Sequence, residues 1–345
     1  MAISVRPVDY DSESQELVAV LQSNLPHLPH ARLFPWLYLR NPEGRALVWV
    51  ATDSETHRAI GIAAAFPRRT YYRGEEVRSY VLGDFCIDAG HRSLGLALTL
   101  QRACLKGLSG GDAGFAFDFP SRTMLAVYKR MQIDANAAMI RYAKPLRADR
   151  KIAERVPVRA VARGLSVVVN AGLRLRDNGM KRTGAWTIAA YSGPWGEEFT
   201  QAAREWSPRT GVCVLRTAEY LNWRYREHPT QSYEMLAARQ GDKLRGYLIL
   251  HMNGEDCTID DLLAEDDAAR SVLLAEATAV GRRHHVHTLS APWLSTHPGR
   301  QLLEKCGFRP RESSPVVLLA LPQPTQRQVG PAKDEWYLTS GDWES

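Results

Sequence analysis

The apolar positions along this chain fall into short runs of β-strand period joined by polar turns, and one series of such runs occurs twice. ALVWVATD (46–53) and AIGIAAAF (59–66) are apolar, partly β-branched and separated by a polar turn, which predicts a hairpin. YEMLAARQGDKLRGYLILHM (233–252) has the same form, with Gly241-Asp242 at the turn. A third strand follows in each series, YVLGDFCID (80–88) and CTIDDLLAE (257–265), and each leads into a helix-period segment, 93–106 and 267–282. A further strand (114–119; 286–291) and a short helix close the series, at Tyr128 to Ile133 and at Leu303 to Phe308. Ahead of both stands a W-x-Y-x-x-x-P stretch, Trp36 to Pro42 and Trp223 to Pro229, at an offset of 187 residues. Matches in one order predict a duplicated α/β unit of about 150 residues rather than a short solenoid repeat. Two unrelated α/β domains are the alternative.

Length agrees with this reading, because 345 residues exceed what one hydrophobic core of about 250 residues accommodates. The expected organisation is a first unit at 1–150, a basic amphipathic connector at 151–185 and a second unit at 186–345. No apolar run of spanning length occurs, and the N-terminus lacks the apolar core of a secretory signal. Five scattered cysteines form no C-x-x-C pair, so neither a disulfide framework nor a zinc site is expected, and the chain reads as cytoplasmic with reduced thiols.

The net charge of +6 is confined to one place. Between Lys151 and Arg182, Lys151, Arg155, Arg159, Arg163, Arg174, Arg176, Lys181 and Arg182 face only Glu154 and Asp177. A nucleic-acid binder spreads basic charge over a domain face and interleaves aromatics, and this chain does neither. Residues 155–176 form a basic amphipathic segment of the kind that lies in the headgroup layer of an anionic membrane, at the inner face if the chain is cytoplasmic. Pro157, Gly164 and Gly172 argue against one long regular helix there. The competing and favoured reading is a connector seated in the groove between the two units.

Chemistry concentrates at the strand–helix junction from Asp84 to Gln101. A helix start is an anion site, because its first N–H groups have no partner and the helix dipole adds positive potential. Arg92 adds a formal charge, and Gly95 and Ala97 leave room for a bulky diphosphate to approach the backbone. Arg92-Ser93-Leu94-Gly95-Leu96-Ala97 resembles the Q/R-x-x-G-x-G/A pyrophosphate motif of the GNAT acyltransferase superfamily, with the aliphatic Ile87 five residues upstream. Ser121 to Ile133 is similar to that family's N-x-x-A-x-x-x-Y-x-x-x-G-F signature. Its tyrosine, Tyr128, is in register, but Ser, Met and Gln-Ile replace Asn, Ala and Gly-Phe.

The resemblance implies two tandem GNAT-like units, each a mixed, mainly antiparallel sheet flanked by helices. It implies an acyl-CoA co-substrate, acetyl-CoA above all, and no metal. The acyl group would pass directly to a primary amine, such as an amino sugar or a cell-envelope precursor, and the basic segment suits a lipid-linked acceptor. Backbone at Phe85, Cys86 and Ile87 would face the thioester, Tyr128 would protonate the leaving thiolate, and Asp84 or Asp118 would serve as base. A FemX-like aminoacyl-tRNA-dependent transferase and a non-catalytic scaffold are the alternatives.

The second series lacks the anion motif, since Glu265-Asp266-Asp267 stand at its helix start with no glycine. It is expected to have kept the fold and lost the cofactor, and to shape the acceptor site. Trp195, Trp206, Trp223 and Trp293 could line that cleft or simply pack in the core. His284, His285 and His287 suit a helix C-terminus better than a metal. Gly107 to Gly114 reads as a turn rather than a phosphate loop.

Overall fold

The computed structural model describes residues 3–109, 113–178, 185–321 and 331–343. In the first half the strands are β1 (Ile3–Pro7), β2 (Leu47–Asp53), β3 (Ala59–Tyr72), β4 (Glu75–Ile87), β5 (Ala113–Asp118) and β6 (Ala137–Pro145). The helices are α1 (Tyr10–Asn24), α2 (His30–Phe34), α3 (Leu94–Ser109) and α4 (Arg122–Arg130). Helices α5 (Asp149–Arg155) and α6 (Arg159–Asn178) lead to the second half. There the strands are β7 (Thr187–Ala190), β8 (Val212–Val214), β9 (Tyr233–Gln240), β10 (Lys243–Asn253), β11 (Asp256–Ala264), β12 (Thr288–Leu294), β13 (Arg309–Ala320) and β14 (Trp336–Tyr337). Its helices are α7 (Glu197–Trp206), α8 (Ala218–Leu221), α9 (Asp267–Arg283) and α10 (Arg300–Lys305).

One sheet runs through both halves in the order β1-β2-β3-β4-β5-β13-β6-β12-β11-β10-β9-β7. Read from either end, the series is the same: hairpin, third strand, parallel partner after a helix, exchanged strand. The two predicted hairpins pair antiparallel, and β4–β5 and β11–β12 are the parallel pairs that the crossover helices α3 and α9 require. One long strand of each half, β6 and β13, crosses over. β13 pairs with β5 of the first half, and β6 pairs with β12 of the second.

The duplicated tryptophan motif marks the point where the halves meet. Pro35–Leu39 and Asn222–Arg226 each form one wide π-helical turn. Trp36 Nε1 donates to the Trp223 carbonyl at 2.9 Å, and Trp223 Nε1 donates to the Trp36 carbonyl at 3.1 Å. The indoles stack with centroids 4.7 Å apart. Reciprocal bonds between like residues are what a two-fold relation imposes, and here it operates within one chain.

Two expectations for the connector are corrected. Helix α6 runs unbroken from Arg159 to Asn178 through Gly164 and Gly172, with Pro157 outside its start. Neither glycine is required by packing, because a Cβ added at either would meet nothing among the described residues within 4 Å outside the helix's own backbone. The weak helix propensity of two glycines, about 1 kcal/mol each, does not break a helix of five turns. Nor is the helix enclosed in a groove: apart from Ala162 and Ser166 it is exposed or half-buried. Lys181 and Arg182 lie outside the described residues, as do residues 110–112 of the glycine-rich turn.

Candidate functional site

The pairing of β4 with β5 ends at Leu82 opposite Asp118. Beyond that point the two strands separate, and the edge of β4 that faced β5 has no ladder partner among the described residues. A β-bulge lies at the same place. Gly83 pairs with Ala64 and Cys86 with Ile62, so β4 carries one residue more than β3, and Asp84 takes the left-handed conformation at φ 47°. A cavity of about 970 Å³ occupies the opening. It is walled by β4 from Leu82 to Ile87, by Asp118, Phe119 and Pro120 after β5, by the start of α3, and by the α1–α2 loop.

Local sequence builds each wall. Ser93 caps α3, its hydroxyl accepting from the Leu96 N–H at 3.2 Å, and Leu96 and Leu100 bury that helix against the sheet. Arg92 Nε donates to the Ile87 carbonyl at 3.0 Å, which ties the helix start to the end of β4. Asn24, the last residue of α1, donates to Asp88 at 2.6 Å and accepts from Arg92 at 3.4 Å, so the α1–α2 loop is fastened to the same junction. Gly95 is exposed on the first turn of α3, and a Cβ there would meet nothing within 4 Å. Packing therefore does not call for that glycine, whereas Gly107 is needed because its Cβ would lie 2.1 Å from the Trp49 ring.

The predicted residues divide by position. Phe85, Cys86, Ile87, Arg92, Ser93, Leu94 and Ala97 line the cavity, together with Asp84 and Asp118. Leu96 faces the core, and Gly95 lies on the helix surface beside the opening. Tyr128 is fully buried and is not on the wall. Its hydroxyl donates to Asp118 Oδ2 at 2.5 Å and accepts from Gln101 Nε2 at 3.2 Å, so Asp118 and Gln101 stand between it and the cavity.

Burial sets the electrostatics. Desolvation pushes the Asp118 carboxyl up to about 7, against the pull of the Tyr128 hydrogen bond. Asp84, also desolvated, is raised as well, offset in part by the hydrogen bond from Tyr38 at 2.6 Å and by nearby His30 and His27. The Cys86 thiol is pushed up to about 12 by burial and by the neighbouring Asp84, so it is no nucleophile near neutral pH.

The matching place in the second half is filled. The β11–β12 pairing ends at Thr258 opposite Ser290, and there the C-terminal segment 336–342 enters, every residue of it buried. It bonds to both separated strands: Tyr337 donates to the Leu262 carbonyl, Ser340 to Asp260 at 2.9 Å, and Leu294 N–H to the Leu338 carbonyl at 3.1 Å. Gly341 passes so close to Tyr225 that a Cβ would lie 2.1 Å from its hydroxyl. The tyrosine–aspartate pair of the first half recurs as Tyr225 and Asp261 at 3.2 Å, but Asp261 is neutralised by the buried Arg216, which also binds Asp342 at 2.8 Å. At the helix start Asp266 caps α9, its carboxylate accepting from Ala269 N–H at 2.8 Å.

Trp195, Trp206 and Trp293 lie in second-half cores, and Trp223 lies at the junction of the halves; none lines the cavity. His284 and His285 end α9, and His287 pairs with Glu255 at 3.0 Å. Several wall residues had no signal in the sequence, His27 and Trp343 among them. His27 lies in the α1–α2 loop, and Trp343 comes from the far end of the chain to pack on Phe119 at 5.7 Å between centroids.

No protein-family model matches this sequence, and no curated protein does. Solved structures do resemble it. A GCN5-related N-acetyltransferase from Anabaena variabilis is 13% identical with a TM-score of 0.65, over 93% of this chain and 73% of that one. Eis1 from Mycobacterium abscessus is 16% identical with a TM-score of 0.59, over 93% and 74%. The N-myristoyltransferase of Saccharomyces cerevisiae, solved with bound myristoyl-CoA, is 13% identical with a TM-score of 0.57, over 92% and 82%. At these identities the likeness is one of fold, and that fold is the GNAT fold.

Proposed function

We propose that this chain is an acyl-CoA-dependent N-acyltransferase that works in the first-half cavity, with acetyl as the acyl group and a primary amine, such as an amino sugar or an envelope precursor, as acceptor. One observation carries the reading: a single cavity joins a capped, basic helix start, the open edge of a bulged strand and two desolvated carboxyls. The first turn of α3 with Arg92 takes the diphosphate. The unpaired edge of β4 from Gly83 to Ile87 offers backbone groups to the pantetheine amides and the thioester oxygen, as preorganised donors.

The amine nitrogen attacks the thioester carbon, the carbon–sulfur bond breaks, and the amide and the CoA thiolate leave. Asp84 takes the proton from the attacking amine. Its raised proton affinity suits a base, and Tyr38 holds its orientation. Asp118, titrating near neutrality, gives a proton to the thiolate, with Tyr128 and Gln101 behind it as positioning residues. The raised Cys86 thiol fits direct transfer to the amine rather than transfer through a Cys86 thioester.

The test is titration calorimetry of the full chain with acetyl-CoA and a longer acyl-CoA, followed by thiol release with a panel of primary amines. Micromolar binding and amine-dependent thiol release are expected. Absence of binding to any acyl-CoA overturns the reading; binding without thiol release from any amine favours the non-catalytic alternative.

A further inference from the structure

Helix α6 carries an apolar face that is exposed among the described residues. Of ten large hydrophobic residues exposed among the described residues, six fall within Val158 to Leu175: Val158, Val161, Leu165, Val167, Val168 and Leu175. Val158, Val161, Leu165, Val168 and Leu175 recur at intervals of three and four, with Gly172 filling the remaining step. They make one stripe along five turns. The helix packs on the protein through another face, that of Ala162 and Ser166 with the half-buried Val169, Asn170, Leu173 and Asp177. At about 100° per residue the two faces lie roughly 130° apart, so seating the helix on the protein leaves the stripe outward.

The anchorage of α6 is firm. Asp177 near its end binds the buried Lys144 at 3.0 Å and also Arg282, and Asn170 holds the Ala148 N–H at 2.8 Å and Asp149 at 3.2 Å. The stripe is thus presented on a fixed helix.

Charge selects what covers it. Arg155, Arg159, Arg163, Arg174 and Arg176 are exposed in the same segment, and the stretch from Lys151 to Arg182 holds a surplus equal to the whole net charge of the chain. Two copies of this surface would set like charge against like charge. An anionic bilayer accepts the apolar stripe at the acyl boundary and is attracted by the basic charge of the segment as a whole. No helix among the described residues is long and apolar enough to cross a membrane. We infer that α6 is an interfacial helix that docks the protein on anionic lipid through Val158, Val161, Leu165, Val168 and Leu175.

Co-sedimentation of the full chain with phosphatidylcholine vesicles, with and without phosphatidylglycerol, tests this. Binding is expected only to the anionic vesicles and should fall as salt rises. Leu165→Glu with Val168→Glu should weaken it by about tenfold or more. Arg159→Glu with Arg163→Glu should weaken it and flatten its salt dependence. All four positions are exposed, so unchanged thermal melting and unchanged acyl-CoA affinity separate lost docking from lost fold. Absence of binding to anionic vesicles overturns the proposal. So does a concentration-dependent dimer in light scattering that Leu165→Glu with Val168→Glu abolishes, since the stripe would then belong to a second copy.

Discussion

The two halves hold the same pair of diverging strands, and what stands between those strands differs. In the first half it is open space faced by Asp84 and Asp118; in the second it is the chain's own C-terminal segment, with Arg216 and Asp342 closed around Asp261. The helix starts differ in the same sense. Ser93 is a neutral cap beside Arg92, whereas Asp266 supplies a carboxylate of its own to the N–H groups of α9. An anion is thus already in place where a diphosphate would bind, and protein is already in place where a thioester would lie. One fold therefore yields an open cavity or a filled structural joint according to a few side chains and the seven residues 336–342.

The sharpest way to break this comparison is to change its two aspartates. Asp84→Asn should lower kcat by about 100- to 10,000-fold with acyl-CoA affinity intact, while Asp261→Asn should leave the chemistry alone and cost about 3 kcal/mol of stability by stripping a partner from buried Arg216. Steady-state kinetics beside urea unfolding read both, and a large stability loss from Asp84→Asn would mean that the two pairs serve the same structural purpose.

Asp118 makes the next prediction. Its carboxyl titrates at about 7 in the folded chain against 3.8 as a free residue, so the folded state holds the extra proton. The associated stability is present below about pH 4 and is lost as pH rises through 7, by roughly 4 kcal/mol at most. Asp118→Asn should flatten that slope, as urea midpoints across the range will show, and should remove the limb near pH 7 from the rate profile.

At the helix starts, Gly95→Glu should weaken acyl-CoA binding by about 100-fold through repulsion and lost space. Ala268→Glu, one residue into α9, should change nothing in the same calorimetry. Smaller still is the indole pair: a double-mutant cycle on Trp36→Phe and Trp223→Phe should give a coupling of about 1 kcal/mol. The smallest effect concerns the ends of α4 and α10. Gln132 adopts φ 62° where the second half has Gly307 at φ 90°. Gln132→Gly should therefore stabilise by somewhat under 1 kcal/mol in thermal melts.

Local features were legible in the sequence. The junction from Ile87 to Ala97 could be read because strand, turn and helix start are adjacent in the chain, and the duplication because W-x-Y-x-x-x-P keeps its spacing. The reciprocal contact of the two tryptophans was not legible, since a repeated motif does not say that its copies touch. The screen of Asp118 in front of Tyr128 depends on side-chain directions that spacing cannot supply. The filling of the second site depends on contacts between residues 336–342 and strands dozens of residues earlier. Helix α6 misled for a different reason: glycine propensity is a weak local preference, and anchorage through Asn170 and Asp177 outweighs it.

The exchange of β6 and β13 has a consequence for how the protein is made. The strand that completes the sheet beside Asp118 is drawn from residues 309–320, about two hundred positions after Asp118 itself. A nascent chain that has emerged past α4 holds every carboxyl of the cavity and still exposes a raw sheet edge at β5. The sheet of the first half is complete only once β13 has left the ribosome, which makes the second half a late partner in synthesis rather than a dispensable appendage.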